Sequence, residues 1–261
     1  MMWKTLRIAL SIGFAALVAV PPLAAEDTQL KAKSVRDRAI SKLAAWRPKS
    51  AESILNKESK YEETQPWLTA EALLMLTFGI GRDEETVTRG LEILDKQAKK
   101  DPEDPVSEFY RGEVLKWLKE SDKAKTAWQN AKERASALVK ENSRDARARF
   151  YLGASLVRLK SPDTARKALK KASKLGFNQP MVDFQIGLTY LIQENWKAAT
   201  KSFDAVHMLD PRYAHLYFYR GLAADKLGHK DQLLNDLDQF VKLAPNSPDA
   251  KTARAILASV R

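Results

Sequence analysis

The side chains that could do chemistry in this 261-residue chain are few. His207, His215 and His229 are the only histidines, and none has a second histidine at the spacing a metal site needs. Cysteine is absent, which removes disulfides, thiol catalysis and thiolate metal sites together. No glycine-rich phosphate loop and no serine nucleophile elbow can be read, and the acidic residues are scattered among lysines on exposed helix faces. These residues predict binding without catalysis, with no metal and no cofactor. The three histidines are expected at surface or groove positions.

What the chain repeats is a packing pattern. Four times a phenylalanine stands three residues before a glycine: Phe109 and Gly112, Phe150 and Gly153, Phe184 and Gly187, Phe218 and Gly221. The last three copies are 34 residues apart, the period of a stacked helical repeat. Twelve residues after the glycines come Ala124, Ala165, Ala199 and Leu233; sixteen after come Trp128, Leu169, Phe203 and Leu237. A small residue is needed where two helix axes approach to ~8–10 Å. The large residue four positions beyond the alanine shares its helix face and fills the space behind it. Pro211 and Pro245 then end two copies, because proline lacks the amide donor and clashes with the preceding turn. The unit predicted is a helical hairpin that buries its apolar stripe only by leaning on the next one.

These residues, most clearly Gly187, Tyr190, Ala199, Phe203 and Pro211, resemble the tetratricopeptide repeat over roughly residues 71 to 247. The resemblance implies an all-α fold, a right-handed α-solenoid of about four to five stacked hairpins with terminal capping helices, and a general role in binding proteins or peptides. Copies are expected near 71–104, 105–145, 146–179, 180–213 and 214–247. The first is degenerate: Phe78 takes the glycine slot and Gly90 the alanine slot, while Leu94 and Pro102 fit. Gly112 and Gly153 are 41 residues apart, seven more than the period, and the excess falls in a helical run from Ser121 to about Lys140. The second helix of that copy is therefore expected to be longer by about two turns, or ~10 Å.

Outside the repeats, residues 28–46 read as a helix with Val35, Ala39, Ile40, Leu43 and Trp46 on one side. Pro48 ends it, Ser50 is expected to cap a shorter helix running to about Tyr61, and Pro66 breaks the chain again. This pair leaves the repeat register and is read as an N-terminal cap over 26–70. Ser161 and Ser247, each followed by proline, are expected to cap the second helix of the third copy and a last helix over 248–261.

The chain begins with Lys4 and Arg7, an uncharged run from Ile8 to Val20, and Pro21-Pro22-Leu23-Ala24-Ala25. That order is what a secretory signal peptide looks like, with cleavage expected after Ala25 over a 1–25 leader. The alternative is an uncleaved membrane anchor, since the run falls just short of the ~20 residues that span a bilayer. The expected location is periplasmic or secreted, or membrane-anchored. Formal net charge is +11, and loss of Lys4 and Arg7 leaves 42 basic residues against 33 acidic. A positive surface outside the cytoplasm points to acidic proteins or anionic envelope surfaces rather than nucleic acid. Solubility alone would also account for it.

The resemblance further implies that the first helix of each hairpin lines a concave groove. The positions it carries over are Val106, Phe109, Glu113 and Lys116; Arg147, Phe150, Ala154 and Val157; Met181, Phe184, Leu188 and Leu191; His215, Phe218, Leu222 and Asp225. From Met181 to Ile192 only Asp183 is charged, and a helix apolar nearly all round needs cover on both sides. The cover could be a partner's helix or extended segment, another subunit, or the N-terminal helices. A bound helix with apolar anchors is the mode this stripe suits best, and self-association is its rival. On the convex side Arg166, Lys167, Lys170, Lys171 and Lys174, approached by Arg158 and Lys160, are expected to form a basic patch. That patch is either a solvated face or a contact for anionic envelope polymers or a membrane surface. The family's lysine-asparagine peptide clamp is missing, so C-terminal carboxylate recognition is not expected.

Overall fold

The structure is a computed structural model and describes residues 22–79 and 83–260. The described residues form thirteen α-helices and no strand. First come α1 (Pro22–Ala44), α2 (Pro48–Lys57), a 3-10 turn at Ser59–Tyr61, and α3 (Gln65–Gly79). They are followed by α4 (Glu84–Lys100), α5 (Pro105–Trp117), α6 (Ser121–Glu141), α7 (Ala146–Arg158) and α8 (Pro162–Lys174). The chain ends with α9 (Gln179–Ile192), α10 (Trp196–Leu209), α11 (Ala214–Lys226), α12 (Lys230–Leu243) and α13 (Pro248–Val260). Each helix packs on the next, so α3–α4 through α11–α12 are five stacked hairpins closed by α13. This is the α-solenoid implied by the resemblance.

Close approach inside the hairpins is set by glycine. A β-carbon on Gly153 would come within 2.6 Å of Leu169 Cγ, and one on Gly187 within 2.5 Å of the Phe203 ring. On Gly112 it would collide with the Trp128 indole. These are the pairs sixteen residues apart that the pattern singles out. Four hairpins turn through a left-handed residue, with φ of 62°, 56°, 55° and 79° at Lys119, Lys160, Glu194 and Gly228. Only the last is glycine, so three turns hold a side chain in a conformation that costs it energy.

The α1–α2 connection uses the same turn. Trp46 has φ 57°, its amide donates to Leu43 O at 2.9 Å, and the Arg47 amide donates to Lys42 O at 2.8 Å. In α7–α8 the Lys160 amide donates to Val157 O at 3.1 Å and the Ser161 amide to Leu156 O at 2.9 Å. The N-terminal pair is thus closed like a repeat, although its sequence leaves the register.

Several local expectations are corrected. Pro48 opens α2 rather than only ending α1, so Ser50 lies in the first turn and Arg47 holds the cap position. Proline is favoured there because its fixed φ already suits the helix. Pro66 breaks nothing: it is the second residue of α3, which starts the first hairpin at Gln65 inside the span read as a cap. Ser161 stands at its cap position without a side-chain cap bond, and the Ser247 hydroxyl turns to His215 Nε2 at 3.3 Å. Side-chain caps are made by Thr64, Asp83, Asp104, Asp145, Asn178 and Asn195.

The long helix is present: α6 has 21 residues, against 13 in α8 and 14 in α10. It does not stand free. Arg134 reaches back to Glu108 at 3.2 Å and to the Asp104 carbonyl at 3.4 Å, and the last turns border a cleft beside Pro102 and Glu103. The basic and apolar parts of the expected leader lie outside the described residues, as does the Phe78 side chain. Among the described residues no helix is long and apolar enough to cross a membrane.

Candidate functional site

The concave side of the solenoid carries α1. From Ala32 onward its apolar face is buried, and it packs closely on α2 and α3. It then crosses the starts of the later first helices one by one. Arg36, 1% exposed, pairs with Asp104 at the start of α5. Asp37 lies 3.7 Å from Arg147 in the first turn of α7, and Asn178, the cap of α9, donates to Ser41 Oγ at 3.1 Å. The Ala214 amide at the start of α11 donates to the Ala45 carbonyl at 3.5 Å, Arg47 pairs with Asp210, and the Trp46 ring stands edge-on to His215 at 5.4 Å. Burial alone would raise the Asp104 carboxyl, but the Arg36 and Arg147 guanidinium groups and the Val106 amide together outweigh it and hold the group below its usual range.

Clefts remain on both sides of this helix. One, beside Arg147 and Phe177, borders the α7–α9 side. The other is a chamber of about 180 Å³ between the end of α1 and helices α3, α5, α7, α9, α11 and α13. Of the residues expected in the groove, Phe109, Phe150, Met181, Phe184 and Leu188 line this chamber, all nearly buried. Glu113 lines it too, with Arg158, whose Nε and Nη2 donate to its two carboxylate oxygens at 2.8 Å each. Arg158 Nη1 donates to Gln185 at 3.3 Å, and its guanidinium lies 5.8 Å from the Phe109 ring centre. Arg158 therefore points into the groove and not to the convex face.

Other expected positions go elsewhere. Phe218 packs on Phe240 at 5.1 Å inside the last hairpin. Val106, Ala154 and Val157 are buried, Leu191 and Leu222 are half-buried against the core, and Lys116 and Asp225 are exposed. On the convex side Arg166 folds onto its neighbours, donating to Thr189 at 3.1 Å and Gln193 at 2.6 Å over the Tyr190 ring. Lys167, Lys170, Lys171 and Lys174, with Arg149, border one shallow depression.

The position passed over is the residue two before each glycine. Tyr110, Gln185 and Tyr219 line the chamber, and Tyr151 lines the opposite cleft. Three of the four are tyrosine at one register, a signal present in the sequence. Burial and the nearby Asp249 carboxylate push the Tyr219 hydroxyl up to about 12, so it stays protonated. Burial lowers His215 to about 4, which leaves the imidazole neutral at physiological pH. Among the described residues no group of three acidic, histidine or cysteine side chains could hold a metal ion.

No protein-family model and no curated protein matches the chain. Among solved structures it is similar to a thermophilic TPR protein of Thermus thermophilus, with TM-score 0.57 and 17% identity over 76% of this chain and 98% of that one. It is also similar to the Cut9-Hcn1 hetero-tetramer of APC/C, with TM-score 0.52 and 15% identity over 89% of this chain and 42% of that chain. Identities this low speak to fold alone, and the fold they share with this chain is the tetratricopeptide-repeat solenoid.

Proposed function

We propose that the protein is an exported protein-interaction scaffold of the cell envelope, without chemistry of its own, whose groove receives a helix of a partner. The observation that carries this reading is α1 itself. An amphipathic helix lies along the groove, tied by Arg36, Asp37 and Ser41, and by Arg47 just beyond its end, to successive hairpins, so the groove's shape and charge suit a helix. Toward α5–α11 it is held by single polar contacts with clefts on both sides, which is the looser half of its seating. A partner helix takes that half over or lies against α1 in the clefts. Export rests on the leader-like order of Lys4 and Arg7, the uncharged run from Ile8 to Val20 and the segment Pro21–Ala25.

The test is a photo-crosslinking residue at Trp117, which borders the chamber and is 38% exposed, followed by identification of what it captures in the living envelope. One heterologous protein, lost when α1 is locked down by a short thiol crosslink between Ser41→Cys and Asn178→Cys, supports the reading. Peptides of a second copy would instead establish self-association. No capture above background ends the proposal. A second reading, contact of the convex lysines with an anionic envelope polymer or membrane surface, is favoured by the shared depression at Lys167–Lys174; binding that survives high salt would exclude it.

A further inference from the structure

The chamber has an electrostatic imbalance that the packing of α1 does not explain. Asp249, in the first turn of α13, lines it, and the nearest basic group is His215 Nε2 at 3.6 Å. With His215 held neutral by burial, that carboxylate has lost water without gaining a cation, and burial raises its pKa. Glu113 and Arg158 cancel one another through their two-bond pair. The lining thus carries one net negative charge at neutral pH.

The walls around this charge are aromatic. Trp46, Trp117, Tyr110 and Tyr219 border the same space. Tyr213, 4% exposed, borders it as well. Ring faces attract a cation, the carboxylate neutralises it, and phenol oxygens accept its N–H bonds. Access is past Trp117, 38% exposed, and past Asp249, whose side chain is 37% exposed. An unbranched alkyl chain suits the apolar floor of Leu43, Phe184 and Leu188.

We propose that the chamber binds an alkylammonium group, supplied by the lysine side chain of a partner or by a free aliphatic diamine. The inference does not depend on a partner displacing α1, because the chamber exists with α1 in place.

The test is calorimetric titration of the full chain with cadaverine, with N-acetyl-lysine amide, and with pentanediol as the neutral counterpart of the diamine. Saturable binding of an amine without binding of the diol is expected. Asp249→Asn should weaken it at least about tenfold, and Asp231→Asn on the exposed start of α12 should leave it unchanged. Asp249→Asn removes a half-buried charge, so its fold is expected to hold, and unchanged circular dichroism confirms that. Binding of cadaverine would assign the source to a small amine, and binding of the lysine derivative alone to a partner. Equal binding of the diol, an unchanged affinity in Asp249→Asn, or no saturable heat with either amine overturns the proposal.

Discussion

Gly187 on α9 and Phe203 on α10 share one space: a β-carbon on the glycine would come within 2.5 Å of the phenylalanine ring. Gly221 has more room, with the Asp236 β-carbon at 3.2 Å. Gly187→Ala is therefore expected to destabilise by about 2 kcal/mol, overpacking outweighing the helix-propensity gain of alanine. Gly221→Ala should be near neutral. Urea unfolding of the two variants checks this, and equal effects would remove the close-approach account.

Locking α1 gives a direct test of its position. Ser41 and Asn178 touch at 3.1 Å across 137 residues of sequence, in a chain with no cysteine to compete. Ser41→Cys with Asn178→Cys should be bridged by a short bifunctional thiol reagent, raising stability by about 2–4 kcal/mol over the unbridged form. Failure of the reagent to bridge two thiols that each react singly would show that α1 lies elsewhere.

The Arg36–Asp104 pair is buried and joins α1 to α5, and Asp104 also accepts from the Val106 amide at 3.2 Å. Arg36→Ala leaves that carboxylate without its cation and is expected to cost about 3 kcal/mol. Arg36→Met with Asp104→Asn should recover most of the loss, since neither partner then carries a buried charge. Denaturation midpoints of the single and double variants decide the matter.

A pH dependence follows from His215. Its folded pKa, about 4, is below its unfolded value of about 6.5, so the unfolded chain takes up the proton first as pH falls. Stability is fully present above about pH 6.5, declines between there and about pH 4 by on the order of 3 kcal/mol, and levels off below. Asp249, with its raised folded pKa, takes up its proton earlier in the folded state and offsets part of that loss at the acid end. Unfolding of the wild type and of His215→Leu across this range should differ in slope, and parallel curves would refute the assignment.

The hairpins were legible because their determinants are local and periodic. Gly187 and Phe203 are sixteen residues apart, and the apolar stripe around them recurs at helical spacing. The seat of α1 was legible only in part: the N-terminal helices stood among three possible covers for the groove, and nothing in the sequence chose between them. Its ties run from Arg36 to Asp104, Ser41 to Asn178 and Arg47 to Asp210, spans of 68, 137 and 163 residues between polar side chains that follow no period. The amphipathic face of α1 was readable, but an apolar stripe does not say which surface covers it. Arg158 was misplaced for a related reason: in sequence it sits beside lysines, and only the fold brings Glu113 opposite it.

A stack of hairpins that touch only their neighbours behaves as a spring, free to open or tighten its arc and to fray from either end. By joining the starts of α5, α7, α9 and α11, α1 acts as a chord drawn across that arc. While α1 is seated curvature is fixed, and loss of one hairpin is felt by those that do not touch it. The chain should melt as a single unit rather than peel, with its pitch set by the length of one helix.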